Sequence, residues 1–152
     1  ELDVALVLVG DGDQRTEIDA ACAELVDGHH VLRLGFCQQD QLPKILAAAD
    51  VLAFASEENW GMAVNEGLAA GLAILCSDRV AGAADMVEDG ENGFVFRSRD
   101  EADLARRMAY ITEHPSLLSS MRKASRSKAE EFSFDVMNGA LLAALQSVSK
   151  EP

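Results

Sequence analysis

The chain has 152 residues, enough for one domain with a substantial core, and its 49% apolar and 26% charged residues are ordinary for a globular protein. Its 26 acidic and 13 basic side chains give a formal charge of −13, which repels nucleic acids and anionic membranes, so we expect no nucleic-acid partner. No apolar run approaches the roughly 18 residues that a membrane span needs, so we expect no transmembrane segment in this chain.

Strands and helices are predicted to alternate along the chain. Apolar runs predict strands at residues 4–9, 31–34, 51–55, 73–76 and 94–96. The first run is continuous, which is typical of a strand covered on both faces. Helices are predicted at about residues 13–26, 40–49, 60–71, 82–88, 100–113, 115–131 and 135–149. This alternation predicts one α/β domain over residues 1–152, with a Rossmann-like, doubly wound parallel sheet and helices on both faces.

The most informative stretch is residues 56–71, S-E-E-N-W-G-M-A-V-N-E-G-L-A-A-G. Glu58 lies in the predicted loop, and Glu66 lies on the predicted helix about 7 to 9 Å from its first residue. Free amides of Trp60, Gly61 and Met62 at the helix start would favour an anion. A phosphate there would leave a sugar hydroxyl within reach of Glu66, as in a nucleotide-diphosphate site. The alternative is two solvated carboxylates that flank an amphipathic helix, and spacing alone leaves both interpretations open.

The stretch E-N-W-G-M-A-V-N-E-G-L-A-A-G-L-A resembles the Glu-any-seven-Glu motif of family 4 retaining glycosyltransferases, the group 1 transferases of the GT-B class. The resemblance extends from residue 4 to about residue 134. Trp60 replaces the usual Phe, Gly67 the Ala, Leu68 the Met and Ala73 the Pro. The motif indicates the family and specifies neither donor nor acceptor.

The resemblance implies roles for the motif residues. Glu66 would bind the ribose hydroxyls, and Glu58 would be the catalytic residue near the donor sugar and phosphates. Asn59 and the amides of Trp60, Gly61 and Met62 would complete the donor site. The implied ligand is a nucleoside-diphosphate sugar, with UDP or GDP as its nucleotide.

Two further segments enter the implied donor site. Gly10 and Gly12 would line its nucleotide side, although Gly-any-Gly without a third glycine also fits a tight turn. The backbone of Leu32 and Leu34 would face the base, although this segment also fits an ordinary strand end. The loop at residues 77–82 follows a strand and borders the predicted cleft, and its Arg79 is either part of that border or a surface charge.

The implied reaction is transfer of a hexosyl-type sugar, with retention, to a glycan, lipid or small molecule. Polysaccharide or lipopolysaccharide biosynthesis is the expected context, in the cytoplasm and, through another domain, at the inner face of the membrane. The family needs no metal or other cofactor, and the isolated cysteines and three histidines show no zinc-ligand spacing.

Parts of the family pattern are not in this sequence. They are the acceptor-binding N-terminal domain, which is the expected partner, and the first strand of the donor domain with its diphosphate-binding Arg and Lys. We expect both missing parts to lie upstream of residue 1. We expect the last helix to pack across the partner domain, or else to be part of an ordinary core. Two other classes stay open: a binding-only nucleotide-sugar module, and a non-hydrolysing sugar-nucleotide epimerase with acid-base residues on the other domain.

Overall fold

The computed structural model describes residues 4–24 and 31–148, and the chain divides into two units, residues 1–45 and 46–152. Both units are built from parallel strands and helices, as the alternating pattern predicted. The end of the helix predicted at residues 13–26, and Ser149 at the end of the last helix, lie outside the described residues. No helix within the described ranges is long and apolar enough to cross a membrane.

In the first unit, β1 (Leu6–Val9) pairs in parallel with β2 (Val31–Gly35), and α1 (Arg15–Glu24) lies between them in sequence. The next helix, α2 (Leu42–Ala47), spans the boundary between the units. The expectation that β1 is covered on both faces is wrong for this structure, because both of its faces carry side chains more than a third exposed. A two-stranded sheet has too little surface to bury a continuous apolar strand.

The second unit holds a three-stranded parallel sheet in the order β3–β4–β5, with β3 (Val51–Phe54), β4 (Ala73–Ser77) and β5 (Gly93–Phe96). Its helices are α3 (Met62–Ala70), α4 (Ala83–Met86), α5 (Glu101–Glu113), α6 (Ser116–Glu131) and α7 (Phe134–Val148). The central strand β4 is buried at every position. Its uninterrupted apolar run is the pattern expected where helices cover both faces of a sheet.

Side chains of β4 point alternately into two cores. Ile74 and Cys76 pack with buried residues of α3 and α4, whereas Ala73 and Leu75 pack with β5, α5 and α6. Such a helix–sheet–helix arrangement follows from the alternation of side chains along a strand. The second unit is therefore a small three-layer α/β fold.

Gly67 allows α3 to lie close to the sheet. A Cβ at this position would lie 2.6 Å from Leu52 Cδ2 and 3.1 Å from Ile74 Cδ1, so even alanine would displace its neighbours. Gly71 ends α3 in a left-handed conformation, with φ 74°, and the helix therefore ends where the sequence predicted.

The last helix, α7, has no buried residue, and its apolar side chains lie well in solvent. Leu141, Leu142 and Leu145 are each close to 60% exposed, so the interpretation of this leucine stripe as ordinary core is wrong for the described chain. Packing of α7 against a partner domain stays a prediction.

Candidate functional site

Three loops of the second unit meet at one edge of its sheet. Because β3, β4 and β5 are parallel, the segments that follow them all leave from their carboxyl ends. These segments are residues 55–61, 78–82 and 97–100. The carboxyl edge of an open parallel sheet is where α/β folds bind their ligands.

Main-chain hydrogen bonds join the first two loops. The Glu58 amide donates to the Arg79 carbonyl at 3.2 Å, and the Ala81 amide donates to the Glu58 carbonyl at 2.9 Å. These two bonds form a short parallel bridge beyond the regular strands. The backbone of Glu58 is thereby fixed on both sides, whereas its side chain is exposed.

The third loop is joined to the second through Asp78. The Asp78 amide donates to the Phe96 carbonyl at 2.9 Å, and one Asp78 carboxylate oxygen accepts from the Ser98 amide at 2.9 Å. Asp103 holds the base of this loop, because it is buried and accepts from the Arg97 amide at 2.9 Å. That backbone hydrogen bond is the largest reason why the pKa of Asp103 lies below its usual range.

The helix of the motif begins two residues later than predicted. Gly61 precedes it with φ 97° and ψ 61°, a conformation that favours glycine, and the Gly61 carbonyl accepts from the Val64 and Asn65 amides. The first-turn amides that point along the axis are therefore those of Met62 and Ala63. The prediction that the Trp60 amide is helix-terminal is wrong, since Trp60 precedes the N-cap, whereas Gly61 is the N-cap residue and the role of its amide stays a prediction.

The two motif carboxylates occupy the elements predicted for them. Glu58 lies in the loop, and its Oε1 accepts from Ser56 Oγ at 3.2 Å. Glu66 lies on α3, half-buried, about 6 Å along the axis from Met62. Met62 is 60% exposed on the same face of the helix, so this face is open from the helix start to Glu66.

Trp60 connects the loop to the rest of the unit. The residue is 40% exposed, and its ring packs edge-on against Phe132, with 5.7 Å between ring centroids. Gly82 lies directly against it, because a Cβ on Gly82 would be 2.4 Å from the Trp60 carbonyl oxygen. The loop that carries Glu58 and Asn59 is thus held closely against the segment that follows β4.

A cavity of about 380 Å³ opens between these loops. Its lining consists of Glu57, Glu58, Asn59, Asp78, Arg79 and Ala81. Two of these residues, Glu58 and Asn59, were predicted site residues. The sequence flagged the loop at residues 77–82, which includes Asp78 and Arg79, as a border of the cleft, whereas Glu57 was missed because nothing in its spacing distinguishes it from a surface acid.

The predicted site residues of the first unit lie just after β1 and within β2. Gly10 follows β1 with φ 124°, and its amide donates to the Gly35 carbonyl at 2.8 Å. A Cβ at Gly10 or Gly12 would meet nothing within 4 Å, so these glycines border open space. Leu32 and Leu34 lie on one face of β2 and are 55% and 39% exposed.

Comparisons with known proteins identify the family. Residues 1–128 match the family model described as "Glycosyl transferases group 1". The chain is 31% identical over 149 residues to a 2-deoxystreptamine glucosyltransferase of Streptomyces kanamyceticus. This alignment covers 96% of this chain and 38% of that protein. The fold of this chain is similar to that in the crystal structure of Anabaena Alr3699/HepE in complex with UDP, with a TM-score of 0.82 and 25% sequence identity. The similarity covers 95% of this chain and 41% of the Anabaena chain.

The family match covers the first unit and the second unit as far as residue 128, and it includes the carboxylate motif. The chain spans less than half the length of these relatives. It belongs to the group 1 glycosyl transferases, as the motif of Glu58 and Glu66 indicated, and it is a domain of the GT-B class.

Proposed function

We propose that this chain supplies the donor site of a glycosyltransferase that transfers a sugar from a nucleoside-diphosphate sugar. The observation that supports this most is the arrangement at the sheet edge: the Glu58 loop, the start of α3 and the open face leading to Glu66. The Anabaena relative was solved with UDP, which makes UDP the first nucleotide to test.

The geometry suggests which group meets which part of the donor. The amides of Met62 and Ala63 would hold a phosphate, because the first turn of a helix presents unpaired N–H groups and a partial positive charge. Glu66, about 6 Å further along the open face, would accept hydrogen bonds from the ribose hydroxyls. Glu58 and Asn59, on the cavity, would contact the sugar.

The chemistry that we propose is transfer with retention and without a metal. The diphosphate leaves with negative charge, and fixed N–H groups and cations stabilise such a charge without rearranging. Glu58 would act near the anomeric carbon. EDTA should therefore leave the affinity for the nucleotide sugar unchanged. A loss of binding in EDTA that Mg²⁺ restores would contradict the proposal that no metal is needed.

The acceptor site would lie on a second domain of the full-length protein, in keeping with the greater length of the relatives. Donor and acceptor must be held in register for transfer, and such positioning provides a large part of an enzyme's rate. We therefore expect the 152-residue chain to bind nucleotide without transferring sugar. Transfer to any acceptor by the chain alone would contradict the proposal that it is the donor half of an enzyme.

Substitution of the two carboxylates tests the assigned roles. A carboxylate that accepts from hydroxyl groups contributes about 1.5–3 kcal/mol, so Glu66→Ala should weaken UDP or GDP binding about tenfold to a hundredfold. Glu58→Ala should leave free-nucleotide binding nearly unchanged and weaken binding of the sugar conjugate, because Glu58 lies beside the sugar. Isothermal titration calorimetry of both variants with UDP, GDP and their sugar conjugates measures this.

Glu113→Ala is the matched control, since this exposed carboxylate ends α5 and does not line the cavity. It should bind like the wild type. If Glu66→Ala also binds like the wild type, or if Glu58→Ala abolishes free-nucleotide binding, the two roles are assigned wrongly.

A further inference from the structure

The cavity beside Glu58 contains one cation among three carboxylates. Each carboxylate is already engaged by the protein. Glu57 forms an ion pair with Arg99 at 3.4 Å, and Glu58 and Asp78 accept the hydrogen bonds from Ser56 and Ser98 described above. All three carboxylates that line the cavity therefore have partners within the chain.

Arg79 differs from these carboxylates. Its side chain is exposed and lines the cavity, and within the described ranges no carboxylate lies close enough to its guanidinium to form an ion pair. This is notable in a chain that carries twice as many acidic as basic side chains. A guanidinium that faces a cavity without a carboxylate partner is available for an anion from outside the chain.

The Arg79 backbone is held in place although its side chain is free. The Arg79 amide donates to Ser77 Oγ at 3.1 Å, and its carbonyl accepts from the Glu58 amide at 3.2 Å. Val80, the next residue, is buried against Gly61, whose added Cβ would lie 2.6 Å from Val80 Cγ1. Arg79 is thus anchored at the junction of the Glu58 loop and the start of α3.

From this placement we propose that Arg79 binds the anionic group of the nucleotide-sugar donor. This inference rests on the proposed function and adds a residue to it. The anion is either the diphosphate, whose leaving charge Arg79 would stabilise, or a carboxylate on the sugar of an acidic donor. Both offer oxygen pairs that match the planar donor fork of a guanidinium.

Charge at the cavity strengthens the expected effect. Arg79 is the one cation of the cavity lining, and Arg99 already pairs with Glu57. Removal of Arg79 would therefore leave an incoming anion facing the carboxylates of Glu58 and Asp78 without a cation beside them in the lining. Arg79→Gln keeps the backbone bonds and the polar character of an exposed side chain, so it should fold like the wild type. Arg79→Lys keeps the charge and loses the paired geometry.

The experiment is calorimetry of the wild type, Arg79→Gln and Arg79→Lys with uridine, UMP, UDP, UDP-glucose and UDP-glucuronate. If Arg79 binds the diphosphate, Arg79→Gln should weaken UDP and UDP-glucose at least about tenfold, with uridine unaffected and Arg79→Lys intermediate. If Arg79 binds a sugar carboxylate, only UDP-glucuronate should weaken. Both results support the proposal and identify the source of the anion.

Lys123→Gln is the matched control, because this exposed cation on α6 does not line the cavity, and it should bind like the wild type. The proposal for Arg79 is overturned if Arg79→Gln binds every ligand as tightly as the wild type, or no more weakly than Lys123→Gln. In that case wild-type binding of UDP still upholds the donor site. A wild type that binds no ligand of this series, nor GDP or ADP, overturns the donor site and the role of Arg79 together.

Discussion

The contact between Gly61 and Val80 connects the start of α3 to the segment that follows β4, and it can be tested by substitution. Gly61→Ala would place a methyl group 2.6 Å from Val80 Cγ1, at a backbone φ of 97°. The backbone term costs about 1–2 kcal/mol and the overpacking about 1–3 kcal/mol. The free energy of unfolding should therefore fall by about 2–5 kcal/mol.

A second substitution separates the two terms. Val80→Ala removes the clashing methyl groups and by itself costs about 1.6 kcal/mol in lost burial, before any cavity effect. In that background, Gly61→Ala should cost only the backbone term, about 1–2 kcal/mol. The double variant should thus be more stable than the sum of the single losses predicts, by about 1–3 kcal/mol.

Urea unfolding provides the measurement, followed by circular dichroism and by the fluorescence of Trp60, the one tryptophan of the chain. Gly139→Ala is the control, because an added Cβ there meets nothing within 4 Å and alanine favours the helix. It should leave stability unchanged or slightly raised. If the decreases in unfolding free energy of the two single variants add up to that of the double variant within about 0.5 kcal/mol, the contact between positions 61 and 80 does not account for the cost of Gly61→Ala.

Two further predictions concern the core of the second unit. Asn92 is buried, donates to the Met86 carbonyl at 2.9 Å and accepts from the Glu88 amide at 2.8 Å. Asn92→Ala should therefore lower the free energy of unfolding in urea by about 2–4 kcal/mol. A decrease of less than about 1 kcal/mol would contradict this account. Burial raises the pKa of the Cys76 thiol to about 11, so at pH 8 iodoacetamide should label half-buried Cys22 well before Cys76. Peptide mass spectrometry measures both sites, and equal rates in the folded chain would show that Cys76 is accessible.

Most of the fold could be predicted from the sequence because local signals agree with the final packing. The continuous apolar run at β4 predicted a covered strand, and Gly71 predicted the end of α3. The start of α3 was predicted two residues early, since apolar periodicity does not reveal the positive φ of Gly61. The exposure of β1 could not be predicted either, because burial depends on neighbouring elements that a run of apolar residues does not specify.

The roles of the site residues were most predictable where these residues are close in sequence. Glu58 and Glu66 belong to one motif with a recognisable spacing. Arg79 and Arg99 reach the same region because β3, β4 and β5 are adjacent and parallel, and this strand order is a property of the tertiary fold. Sequence distance therefore left Arg79 undecided between the cleft and the surface, and it hid Arg99, the cation that pairs with Glu57.

The way in which the three loops are joined has a consequence for engineering. Their connections run mainly through backbone atoms, with the Glu58 and Arg79 main chains bonded to each other, whereas the side chains at 57, 58, 59 and 79 are exposed. Exposed side chains that carry no part of the framework tolerate exchange at little cost in stability. A library randomised at these four positions should consequently yield mostly folded proteins, so that ligand preference can be selected on this scaffold without first repairing the fold.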